Sequence, residues 1–73
     1  YGVQIAAWED RLKAEMLKKE IERVVKPVRV VEKAGSPVLY RVIAGEGSRE
    51  EANALARKLR DQGHRGFVTR QVP

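Results

Sequence analysis

The feature that most restricts the fold of this chain is an internal echo. Asp10-Arg11 is answered by Ser48-Arg49, and Ala14, Leu17 and Ile21 are answered by Ala52, Leu55 and Leu59, each pair 38 positions apart. In both halves a residue able to cap a helix N-terminus stands just before an apolar stripe of helical spacing. Strand-like runs flank the stripes: GVQIAA at 2–7, VRVVEK at 28–33, VLYRVIA at 38–44 and GFVTR at 66–70. The order is β-α-β-β-α-β. Two such units in one short chain predict a split βαβ domain of the α+β class, RNP-like or ferredoxin-like. That means a four-stranded antiparallel sheet, strands one and three central, with two helices on one face.

Local signals set the boundaries. The first stripe runs on from Ile21 to Val24 and Pro27 stops it, which predicts a helix near residues 10–25. AGSP at 34–37 is turn chemistry between two strands. Ser48 with Glu51 three positions on is a capping box that opens a helix near 48–62, and Gly63 suits the left-handed position that ends one.

With 73 residues the chain holds one small domain, 1–73, and no cysteine is present to staple it. It opens at Tyr1 without a Met, and is read as a module excised from a larger protein. Fifteen Lys and Arg against ten Asp and Glu leave +5, which favours an anionic partner without saying which. No run of about 18 apolar residues is present to span a bilayer, and no direct membrane contact is expected of this module.

The puzzling residue is Gln4, an amide between Val3 and Ile5. A strand buried on both faces would rarely accept it, since an unpartnered buried amide costs roughly 1–3 kcal/mol. Two helices cover only one face of a four-stranded sheet, so the other is open and can hold it. Strict alternation turns Val3, Ile5, Val28, Val30, Tyr40, Val42 and Val68 toward the helices. The open face then receives Gln4 and Ala6, Arg29 and Val31, Leu39, Arg41 and Ile43, and Phe67 and Thr69. This is a shallow mixed surface with no reaction centre: no Ser/His/Asp set, no cysteine, and one histidine, His64, placed as a turn residue after a helix end. No catalytic residue, metal ligand or cofactor is expected.

YGVQIAAWEDRLKAEMLKKEI, LYRVIAG and SREEANALARKLRDQGHRGFV together resemble a SPOR domain (sporulation-related repeat) over nearly the whole chain. The family pattern runs Val-Gln-Val-Gly-Ser-Phe, a helix with Ala-x-Ala-Glu-x-Leu, Tyr-Arg-Val-x-x-Gly, Ser-x-x-Glu-Ala and a final Phe-Val. Four departures stand out: Ala6 for the Gly, Ala7 for the Ser, Trp8 for the Phe, and Gly45-Glu46-Gly47 for the second half's Gly-Pro-Phe.

The resemblance implies the same topology and a monomeric, non-enzymatic module. It implies binding to peptidoglycan glycan strands denuded of their stem peptides, and targeting to the division septum. The place would be the bacterial cell envelope, in the periplasm or on the outer face of the cytoplasmic membrane. A parent protein carrying a peptidoglycan hydrolase domain is compatible with this. Carried over, the glycan-binding residues are Gln4, Arg29, Leu39, Arg41, Ile43 and Phe67, with Trp8 beside them. Trp8 is also read as packing at the end of the core, filling space left by Gly47.

Plainer readings stand next to these. Gln4 is also explained as a solvated open-face residue, and Arg29 and Arg41 as surface partners of Glu32, worth little. Two other functions fit the topology. An RNA-recognition module would stack bases on strand-one and strand-three aromatics. Strand three offers only the inward Tyr40, however, and nucleic acid is not expected. A structural dimerisation module would use the open sheet, or Leu12 and Met16 on the far side of the first helix.

Overall fold

The structure is a computed structural model, and it describes residues 1–70. Its elements are β1 (Gly2–Trp8), α1 (Arg11–Ile21), β2 (Val28–Lys33), β3 (Leu39–Ala44), α2 (Arg49–Asp61) and β4 (Phe67–Thr69). All neighbouring strands are antiparallel in the order β2-β3-β1-β4. This is the βαββαβ domain that the echo predicts, with β1 and β3 central.

Both helix starts are held by the expected caps. Asp10 accepts from the backbone N–H of Leu12 at 2.9 Å and of Lys13 at 3.3 Å. At α2 the box is reciprocal: Glu51 N–H donates to Ser48 Oγ at 3.1 Å, and Ser48 N–H donates to Glu51 Oε1 at 3.0 Å. The Ser48 backbone N–H, and after it the Ser48 hydroxyl, stabilise the charged Glu51 carboxyl and hold it below its ordinary pKa. The end of α2 is a Schellman motif. Gly63, at φ +88°, donates to Arg60 O at 3.0 Å, and His64 donates to Leu59 O at 2.8 Å. His64 is thus the turn residue its position suggests.

α1 ends at Ile21, short of the predicted 25. The chain tightens there into three-residue turns, Arg23 N–H to Glu20 O and Val24 N–H to Ile21 O. The tighter winding rotates Val25, rather than Val24, onto the core.

The core lies between the helices and one sheet face. Val3, Val28, Val42 and Ala44 from the strands meet Ala14 and Ile21 of α1 and Ala52 and Leu59 of α2, all buried. α1 packs on β1, β2 and β3, and α2 on β1 and β4. Among the described residues no helix is long and apolar enough to cross a membrane.

One irregularity matters for the open face. In β1 the register jumps: Gln4 pairs with Ile43, but Val42 is paired with Ala6 rather than Ile5. Ile5 is the extra residue of a β-bulge. Strict alternation therefore fails after Gln4. Ile5 and Ala6 both pack against the core, and Ala7 turns to the open side opposite Arg41. The expectation of Ala6 on the open face is corrected by this one-residue insertion.

Candidate functional site

The cross-strand register arranges the open face in rows. One row reads Phe67–Gln4–Ile43–Arg29 across β4, β1, β3 and β2. The next reads Ala7–Arg41–Val31, and a third pairs Leu39 with Lys33. With strands roughly 4.8 Å apart, the first row spans on the order of 14 Å of backbone.

At its centre the two polar residues meet. Arg41 Nε donates to Gln4 Oε1 at 2.7 Å, in a half-buried contact between β1 and β3. Among the described residues this is the one hydrogen bond of that guanidinium, so its four terminal N–H groups remain for a ligand. Gln4 spends its acceptor on Arg41 and keeps its amide N–H groups. Glu32 does not compete: it pairs with Tyr40 in the register and lies on the helix side of β2, opposite to Arg29 and Arg41.

The apolar members differ. Phe67 is 58% exposed and stands at the rim beside Gln4. Leu39 is half-buried at the start of β3. Ile43 lies on this face but is only 4% exposed, so it is the floor under Gln4 and Arg29 rather than a contact surface.

Trp8 stands at the end of β1, where it lines a hollow with Ala7 and Leu39 at the edge of this face. Its register partner is Tyr40, which turns it toward the helix side, and there it lines a second hollow with Lys13, Met16 and Leu17 of α1. It does not fill space left by Gly47. β1 and β3 run antiparallel, so Trp8 lies at one end of β1 while Gly47 bonds to Tyr1 at the other. At 36% exposed, Trp8 is a partly covered edge aromatic and not a core one.

The structure adds three residues to this surface. Lys33 follows from the same alternation that placed Arg29 and Val31. Ala7 needed the bulge, which no sequence signal marks. Arg65 reaches the face from the loop before β4, and with Gly66 and Phe67 it lines a shallow hollow against Gln4 and Ala7. Among the described residues no group of three or more His, Cys, Asp or Glu gathers to hold a metal.

Fold and surface together define a small α+β module with one uncovered, arginine-bearing sheet face. The chain belongs to the SPOR domain family, whose model matches residues 1–70. SPOR domains are non-catalytic, peptidoglycan-binding modules that target proteins to the septum. No curated protein and no solved structure matches the chain.

Proposed function

We propose that this module binds peptidoglycan glycan strands stripped of their stem peptides, through the open sheet face, and so holds its parent protein at the division septum in the bacterial envelope. The observation that carries this is the Arg41–Gln4 bond of 2.7 Å. Removal of the stem peptide leaves a lactyl carboxylate on each muramic acid. A guanidinium anchored through Nε presents its remaining edge for two parallel charge-assisted bonds to such a carboxylate. Gln4 then donates to an acetamido or hydroxyl oxygen, Phe67 and Leu39 lie against C–H-rich sugar faces, and Arg29 and Lys33 supply positive charge along the strand.

The open face suits a polymer, which must enter and leave at both sides. Ala7 opposite Arg41 puts a methyl where the family has a serine hydroxyl, so recognition here leans on Gln4 and Arg41. A base-stacking role fits poorly, since Phe67 is the open face's aromatic and Tyr40 packs against the core.

The test is co-sedimentation with purified sacculi before and after amidase treatment, with single-stranded RNA as a control. Binding should rise on amidase treatment, weaken as salt screens the carboxylates, and be absent with RNA. Equal binding to intact and denuded sacculi would defeat the proposal.

A further inference from the structure

A second basic surface lies on the other side of Gly66. Asn53, Ala56, Arg57 and Arg60 of α2 and Arg65 and Gly66 of the following loop line a hollow of about 490 Å³. Arg57 and Arg60 are three positions apart, so they share one face of the helix, and Arg65 meets them from the loop. No carboxylate lines this hollow. Among the described residues none of the three guanidiniums is held in an ion pair or hydrogen bond. Three exposed positive charges around one hollow make a local field that favours an anionic ligand.

The hollow adjoins the open face. Arg65 and Gly66 line both it and the hollow beside Gln4, Ala7 and Phe67. Gly66 lies between them and packs so tightly on β1 that a Cβ would come within 2.7 Å of Val3 Cγ1 and 2.8 Å of Gln4 O. A polymer lying over Phe67 and Gln4 can therefore pass the sheet edge at Gly66 and reach α2.

We infer that the Arg57/Arg60/Arg65 hollow is a second anion subsite, which takes a further lactyl carboxylate of the same denuded strand after it crosses the sheet edge. This rests on the glycan-binding reading above and extends the path from the sheet face onto the flank of α2. Its consequence is a preference for long strands over short ones, because the second contact forms within one bound chain.

The test compares a denuded tetrasaccharide with denuded strands several times longer, using wild type, Arg57→Gln/Arg60→Gln and Arg41→Ala. Both α2 arginines are exposed, so the double variant should melt like wild type. It should bind the tetrasaccharide within about twofold of wild type and the long strand about tenfold or more weakly, the size of one lost charge-assisted contact. Converting the lactyl carboxylates of the long strand to amides should abolish the difference between wild type and the double variant. Long-strand binding by the double variant equal to wild type, with Arg41→Ala defective on both ligands, would overturn the second subsite and leave the sheet-face proposal standing. Failure of wild type to bind either denuded ligand would overturn both.

Discussion

Replacing Gln4 and Arg41 by alanine, singly and together, tests whether the two act as one unit. Arg41→Ala removes charge-assisted bonds to a carboxylate worth about 1.5–3 kcal/mol, or roughly 10- to 150-fold in affinity. Gln4→Ala removes an amide donor worth about 0.5–1.5 kcal/mol. It also breaks the 2.7 Å bond that holds the guanidinium. Binding must then order a freer arginine, at a further cost of about 0.5–1.5 kcal/mol. That second loss exists only while Arg41 is present. The double variant should therefore lose about 0.5–1.5 kcal/mol less than the sum of the singles. The assay is titration calorimetry with a denuded tetrasaccharide at fixed ionic strength, with thermal melts alongside. Neither residue lies in the helix-side core, so each variant should fold, and its melt should fall by no more than the loss of one half-buried hydrogen bond allows. Strictly additive losses, or full affinity in Gln4→Ala, would show that Gln4 does not position Arg41.

Two further outcomes concern stability. The Glu51 carboxyl is held below its ordinary pKa by its bonds to Ser48, so its stabilising contribution is complete above the usual carboxylate range and is lost as pH falls through the lowered value. The difference in melting temperature between wild type and Glu51→Ala should thus be steady near neutral pH and shrink below about pH 4; a gap that persists in acid would contradict the box. Gly66→Ala would bring a Cβ to 2.7 Å from Val3 Cγ1 and 2.8 Å from Gln4 O, forcing β4 off β1 at an overpacking cost of about 1–3 kcal/mol, and a melt at the wild-type temperature would refute that close approach.

The elements were readable because each had a local cause. The Ser48/Glu51 box, the Gly63 stop and the recurring Ala-Leu stripes announce themselves in the order of residues, and the split βαβ topology follows from their repetition. The open face was legible wherever alternation held, as for Arg29, Leu39, Arg41 and Phe67. It failed from Ala6 on, because the bulge at Ile5 inserts a residue without any residue type to mark it. The pairing of Trp8 with Gly47 failed for another reason: the two lie at opposite ends of β1. The burial of Ile43 depends on long neighbours across three strands, and the approach of Arg65 depends on a loop. Neither has a periodic trace.

The bulge also accounts for an asymmetry between the two halves. Counting from a buried strand valine to the helix cap, Val3 to Asp10 is seven positions, and Val42 to Ser48 is six. The first half is thus the second with one residue added, and that residue is Ile5. An unbroken pseudo-twofold would give the two central strands the same alternation. The added residue shifts the phase of one strand alone. β3 turns every second position to the open side, Leu39, Arg41 and Ile43, whereas β1 turns Gln4 and then Ala7 there and packs the partly buried pair between on the core. A glycan strand has direction, with unlike ends, and a twofold-symmetric surface would meet it equally well either way round. Together with unlike side chains at equivalent points, such as Gln4 and Ile43, the inserted isoleucine gives the open face a polarity, and the proposed glycan ligand would then be met in one sense only.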